Sequence, residues 1–202
     1  TATDANGCST TTAVFVAQPS QVVINNITNT SVTCNGANNG TLTATATGGV
    51  GTISYNLMPN NITNITGNFI NLAGNTYTIT VSDANGCSAT STSFLFEPTA
   101  ISITNAAATD IICFGQINGT VSVNATGGTN PLSYNLQPLN LTNGTGNFTG
   151  LPQNIYTVTI TDANGCTLTN TQTVSEPTLV HFNSTIITHV LCFDGNNGII
   201  NS

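Results

Sequence analysis

The sequence predicts an all-β protein, a linear array of tandem immunoglobulin-like β-sandwich domains, on three observations. The first is a repeat: Cys8, Cys87 and Cys166 stand 79 residues apart, and so do Cys34, Cys113 and Cys192. Residues 20–98 overlay residues 99–177 without a gap, with 38 of 79 positions identical. A fixed period of this kind marks serial copies of one structural unit. The second is period-two alternation of apolar and polar residues with no stretch of helical spacing, the pattern of strands buried on one face. The third is dense punctuation by Gly and Asn, which divides each repeat into about six to eight short strands and suits a two-sheet sandwich.

Each element follows from its residues. In "GTLTATATGG", Leu42, Ala44 and Ala46 share one face, with Thr41, Thr43, Thr45 and Thr47 opposite. The second copy, "GTVSVNATGG", places Val121, Val123 and Ala125 in the same way. Threonine is β-branched and polar, so it suits the solvated side of a sheet. The aromatic pairs Tyr55/Tyr134, Phe69/Phe148 and Tyr77/Tyr156 fall at expected core positions. "TYTITVSD" turns Tyr77, Ile79 and Val81 inward, and "IYTVTITD" does the same with Tyr156, Val158 and Ile160. Tyr77 and Tyr156 also stand at the turn before the penultimate strand, the place of a tyrosine corner.

"QPS", "EPT" and "EPT", at Gln18, Glu97 and Glu176, follow the last strand of each unit. Proline cannot donate to a sheet, so these tripeptides are the expected boundaries. Residues 1–19 then read as the end of a preceding repeat and residues 178–202 as the start of a following one. The whole reads as a window on a longer array, with linkers short enough to make it semi-rigid.

"DANGC" occurs verbatim at Asp4–Cys8, Asp83–Cys87 and Asp162–Cys166. A type I turn favours Asp first, and a following Gly in left-handed conformation closes a hairpin with a bulge. Asp4 with Gly7, Asp83 with Gly86, and Asp162 with Gly165 are therefore expected to be turn-forming residues.

Composition excludes several functions. The chain has no Lys or Arg, seven acids and a net charge of −7. It cannot neutralise phosphates, which rules out ordinary nucleic-acid binding, and it lacks the basic residues that draw proteins to anionic membranes. Trypsin has no site to cut. No long apolar run is present, so the chain is not expected to be membrane-embedded. Six evenly spaced cysteines point to disulfides and an oxidising, extracellular compartment.

"CNGANNGTLTATATGG", "SYNL" and "LAGNTYTITVSDANGCSATSTSFLFEP", with their second copies, resemble the SprB-type repeats of gliding-motility adhesins. The resemblance implies a very large surface protein of a Bacteroidetes-type bacterium, exported by a type IX secretion system and acting as a cell-surface filament. It implies no catalytic residues. The chain departs from the family's usual aromatic-rich strand, having "GTISYNL" and "NPLSYNL" without tryptophan.

For the cysteines, bonds within a repeat would join Cys34 to Cys87 and Cys113 to Cys166, leaving Cys8 and Cys192 to partners outside the window. This is the preferred reading, since most small-domain disulfides are internal. If the two turns lie at opposite ends of a sandwich, Cys34 could instead reach Cys166 across the junction. Cys87 with Cys113 is a third option, requiring a folded-back linker. Zinc is disfavoured by the lack of paired-ligand spacing, and a catalytic thiol by the lack of a repeated histidine. Calcium is the one cofactor with any support, and it is weak, because each junction offers only one Asp and one Glu.

The expected role is a non-enzymatic repeat segment of a secreted filament or adhesin. Its expected partners are neighbouring repeats, other filament subunits or surface polysaccharide, and Phe114 and Phe193 are apolar turn residues available for contact. A self-assembling fibre or sheath subunit, and a carbohydrate-binding module of an exported protein, are the alternatives. The frequent Asn-x-Ser/Thr sequons, such as those at Asn26, Asn61, Asn124 and Asn140, follow from the abundance of Asn and Thr.

Overall fold

Apolar side chains at every second residue leave water only when their strand packs one face against another sheet, and the structure, a computed structural model, meets that demand. It describes residues 1–181, 186–188, 193, 194 and 199–201. All regular structure among these residues is β-strand. The chain divides into two compact units, Thr1–Pro98 and Thr99–Ser202.

The first unit opens with a hairpin of β1 (Ala2–Thr3) and β2 (Ser9–Thr10). Seven strands follow: β3 (Val23–Thr30), β4 (Gly40–Thr47), β5 (Ser54–Met58), β6 (Ile62–Asn64), β7 (Asn68–Leu72), β8 (Asn75–Ser82) and β9 (Ser88–Leu95). They form one antiparallel sheet in the order β3-β4-β7 and another in the order β6-β5-β8-β9. The second unit repeats this with β10 (Ser102–Thr109), β11 (Gly119–Thr126), β12 (Ser133–Gln137), β13 (Leu141–Asn143), β14 (Asn147–Leu151), β15 (Asn154–Thr161) and β16 (Thr167–Val174), in sheets β10-β11-β14 and β13-β12-β15-β16. A short hairpin pairs β17 (Ile186–Thr188) with β18 (Ile199–Asn201).

Each whole repeat is an immunoglobulin-like sandwich. Its core is filled from both sheets. Leu42, Phe69 and Leu72 come from the three-stranded sheet, and Tyr55, Leu57, Tyr77, Ile79, Val81 and Leu95 from the four-stranded one. The counterparts Val121, Phe148, Leu151, Tyr134, Leu136, Tyr156, Val158, Ile160 and Val174 fill the second core. Register sets inward residues directly opposite one another, Tyr55 with Val81 and Leu57 with Ile79.

The tyrosine corner forms in both repeats. Tyr77 donates its hydroxyl to the Ala73 carbonyl at 3.1 Å, and Tyr156 to that of Pro152 at 2.8 Å. Burial pushes the Tyr156 phenol above its ordinary value of 10.0. Replacing both tyrosines by phenylalanine removes one hydrogen bond per unit without opening a cavity. The expected loss is about 1 kcal/mol in each unit, read from urea unfolding of the 202-residue chain.

The strand directions decide where the chain comes in and goes out. At one end of the first unit, here the base, the Ser20 carbonyl accepts the Gly49 N–H at 2.9 Å. At the opposite end, the apex, the Gly36 N–H donates to Glu97 Oε1 at 2.6 Å and Asn35 Nδ2 to the Pro98 carbonyl at 3.1 Å. The chain therefore crosses the sandwich from base to apex. The DANGC turn joins β8 to β9 at the base, whereas Cys34 lies in the β3–β4 connection at the apex.

This geometry corrects the preferred disulfide reading. β8 and β9 are eight residues each, roughly 25 Å long at about 3.3 Å per residue. A disulfide needs Cα atoms within about 7 Å. Cys34 and Cys87 stand at opposite ends of that length and cannot bond, and the same separation keeps Cys113 from Cys166. Cys87 and Cys113 are free, exposed thiols, so the Cys87–Cys113 option is not realised either.

Candidate functional site at the two ends of each repeat

The base is organised by one carboxylate. Asp83 is only 7% exposed and Asp162 only 6%. Asp83 Oδ1 accepts the N–H groups of Asn85 and Cys87, both at 2.9 Å, while Oδ2 accepts that of Val50 at 2.8 Å. Asp162 holds Asn164 at 2.9 Å, Cys166 at 2.8 Å and Thr129 at 2.8 Å in the same way. The turn itself closes by Gly86 N–H to the Asp83 carbonyl at 3.1 Å and Asp83 N–H to the Cys87 carbonyl at 2.9 Å. Gly86 and Gly165 both sit at φ of 84°, the left-handed position such a bulge requires.

One side chain thus ties the β8–β9 hairpin to the β4–β5 loop, 33 residues away. The Val50 N–H is the largest influence holding the Asp83 carboxyl below its ordinary 3.8. Burial opposes it, and the N–H groups of Cys87, Asn85 and Gly86 add to it. Asp162 is lowered by the same set, led by Thr129. Asp4 makes the two local bonds, to Asn6 and Cys8 at 2.9 Å, but is exposed. Gly7 has the same φ, at 85°.

The loop that meets this clamp carries the double glycine. Gly48 and Gly49 have φ of 85° and 71°. A Cβ on Gly48 would overlap the Gln21 carbonyl oxygen, and one on Gly49 would press on Asp83 and Val22. Glycine is needed here for close approach as well as for backbone conformation.

At the apex, Glu97 reaches the Gly36 N–H, and Glu176 reaches that of Gly115. The boundary acids are therefore ties across 61 residues, a role that sequence reading missed although their spacing was visible. Asp110, which had no counterpart, accepts the Ser175 N–H at 2.7 Å; Ser31 Oγ accepts the Phe96 N–H at 3.0 Å in the equivalent place. Asn64 and Asn143 were also missed. Each holds the next turn through two N–H groups, those of Gly67 and Gly146 at 2.7 Å being the shorter. Asn61 and Asn140 adopt left-handed φ of 52° and accept the side-chain amides of Asn56 and Asn135.

Cys34 and Cys166 are disulfide-bonded. Cys8, Cys87 and Cys113 are free and exposed, and Cys192 lies outside the described residues. Phe114 and Phe193 are exposed. A groove of about 550 Å³ opens between β3 and β9, lined by Asn25, Asn26, Thr90 and Thr92 with Ile24 and Ile27. Among the described residues no three His, Cys, Asp or Glu side chains come together as a metal site, and no helix is long and apolar enough to cross a membrane.

Carboxylates committed to backbone N–H groups, and a chain that crosses each sandwich from base to apex, define a tandem-repeat protein of immunoglobulin-like domains. Two segments of it are similar to a known family, the SprB repeat model matching residues 26–66 and 105–141. The two matches start 79 residues apart, running from within β3 through β6 and from within β10 to the first residue of β13, and stop before the DANGC turns at Asp83 and Asp162. None of the curated proteins matches the chain at a significant level. Among solved structures, the C-terminal 282-residue fragment of intimin, in complex with the intimin-binding domain of the translocated intimin receptor, is similar at 14% identity and a TM-score of 0.45. The alignment covers 79% of this chain and 64% of that one.

Proposed function

We propose that this chain is a repeat segment of a secreted cell-surface adhesin, acting mechanically in gliding motility or surface attachment. The observation that carries the reading is the polarity of the repeat. Within each unit the chain comes in at the base and leaves at the apex, which suits a module copied many times along one chain. A long run of such modules is a means of holding a working end away from the cell. The SprB repeat supports assignment to the gliding-motility class of adhesins, and with it export by type IX secretion.

The surface fits exposure outside a cell. Threonine-rich strand faces take up water without charge, and the absence of Lys and Arg removes every trypsin site. Evenly spaced copies of one surface also suit weak, repeated contact with polysaccharide, where avidity replaces affinity.

The test is to label the protein on living cells and follow the label by time-lapse fluorescence. The expected result is directed travel of label along the surface, with gliding lost on deletion. A stationary label with gliding intact but attachment lost leaves the adhesin reading and removes motility. Label confined to the cell interior overturns both.

A further inference from the structure

We infer that Asn85 is a self-modification site, losing its side-chain amide to attack by the Gly86 backbone nitrogen, and that Thr129 protects Asn164 in the same turn of the second unit. The chemistry belongs to the Asn–Gly pair. Glycine has no side chain to obstruct its nitrogen, so a five-membered ring closes readily. A bond forms from the glycine nitrogen to the asparagine Cγ, the Cγ–Nδ2 bond breaks, and ammonia leaves with the proton that the nitrogen gives up. Water then opens the succinimide to aspartate or isoaspartate. One water is consumed and one ammonia released, with no oxidant or cofactor.

The fold ties most of the Asn–Gly pairs. The Asn35 amide donates to the Pro98 carbonyl at 3.1 Å, and the Gly36 nitrogen is itself held by Glu97. Asn39 is held through both side-chain atoms by Thr33. The Asn118 amide donates to Gln116 at 3.0 Å and that of Asn143 to the Asn147 carbonyl at 2.8 Å. The Asn164 amide donates to Thr129 Oγ1 at 3.0 Å. Among the described pairs, Asn6 and Asn85 bond through the backbone N–H and leave the side-chain amide untied.

Asn85 and Asn164 form a built-in comparison. Both stand in the pentapeptide DANGC, so their reactivity in an unfolded chain is the same. The attacking nitrogens are also alike: Gly86 and Gly165 share φ of 84°, and each donates its N–H to the aspartate carbonyl at 3.1 Å. The residue facing the turn differs. Val50 and Thr129 each donate a backbone N–H to the aspartate Oδ2, and their carbonyls accept the N–H groups of Ala84 and Ala163. That double tie fixes both side chains against the turn. Thr129 offers Asn164 a hydroxyl, and Val50 has none to offer Asn85. Asn164 must break this bond before its Cγ can swing to Gly165, which lowers its rate about fivefold for one hydrogen bond of ordinary net strength.

The product alters the clamp in which it forms. Isoaspartate adds a methylene to the backbone between the residue-85 and Cys87 N–H groups that share Asp83 Oδ1. Aspartate sets a second carboxylate beside Asp83. The first unit is expected to melt lower as the chain ages, while the second holds its melting temperature. The reaction proceeds whatever the array projects, so its failure and the failure of the adhesin reading are separate results.

Timed peptide mapping tests it. The folded 202-residue chain is kept in a warm, mildly alkaline buffer, and samples are denatured, reduced, alkylated and digested with a protease cutting before aspartate. Asn85 then falls in residues 83–109 and Asn164 in residues 162–193. A new aspartate adds a cut, shortening these peptides to 85–109 and 164–193, whereas isoaspartate leaves them whole with the mass of the acid. Asn85 is expected to convert about fivefold faster than Asn164, with Asn6 keeping pace with Asn85. Val50→Thr should slow Asn85 to the Asn164 rate, and Thr129→Val should raise Asn164 to the Asn85 rate; both exchanges keep the β-branched shape. In denaturant and reductant the two sites should react equally. Equal rates in the folded chain, an Asn85 rate unmoved by Val50→Thr, or unequal rates in denaturant each overturn the inference.

Discussion

Alanine at Gly48 and Gly127 together destabilises each unit by more than about 3 kcal/mol, whereas alanine at Gly86 and Gly165 together costs each only about 1 kcal/mol. All four residues share nearly the same backbone conformation, with φ between 83° and 85°. The cost of placing an alanine in the left-handed region is therefore common to both pairs. Their surroundings differ. Around Gly86 and Gly165 an added Cβ meets nothing within 4 Å. On Gly48 and Gly127 it would overlap the carbonyl oxygens of Gln21 and Ala100, backbone atoms that cannot rotate aside. Relief requires parting the β4–β5 loop from the incoming chain, and with it the Ser20–Gly49 hydrogen bond. Urea unfolding of the two double variants reads the difference directly. Equal losses would show that the approach of the incoming chain contributes nothing.

Acid unfolding is the second large effect. The carboxyls of Asp83 and Asp162 are held below the ordinary 3.8, first by the Val50 and Thr129 N–H groups. The folded state therefore binds their protons less readily than the unfolded chain does. The stability this lends is present above the unfolded value and is lost as pH falls through the lower folded-state value. The melting temperature is expected to change little between pH 7 and about 5, then to drop steeply below about 4.

Asp83→Asn with Asp162→Asn keeps one acceptor oxygen per residue and sets an NH₂ group against N–H donors. Both transitions should melt lower at neutral pH, and most of the acid-dependent drop should vanish. Asp4→Asn, in an exposed copy without the third partner, should leave the melting temperature where it was. An acid-dependent drop of undiminished size in the double variant would rule out these clamps as its source.

Much of the sandwich is legible residue by residue. Leu42 and Ala44 on β4, and Tyr77, Ile79 and Val81 on β8, are buried where alternation places them, because hydrophobicity at period two is a local property. The tyrosine corner was visible for a related reason, since Tyr77 and its acceptor Ala73 are four residues apart. The second oxygen of Asp83 was not visible. Its partner is 33 residues away, and nothing near "DANG" distinguishes a buried clamp from the exposed turn at Asp4. Glu97 presented the same difficulty, its spacing showing that it recurs but not that it reaches Gly36.

The cysteines show the division most clearly. The amino-acid sequence alone established their number, their 79-residue period and their suitability for oxidation. It left open whether the thiols of one repeat could meet. Only the tertiary structure decided that, by running eight-residue strands between the β3–β4 connection and the DANGC turn and so setting Cys34 and Cys87 at opposite ends. Burial periodicity is dictated by each residue's own affinity for water. The separation of two thiols depends on how many strands of what length lie between them and in which direction each runs, and those emerge only when the two sheets close on one core.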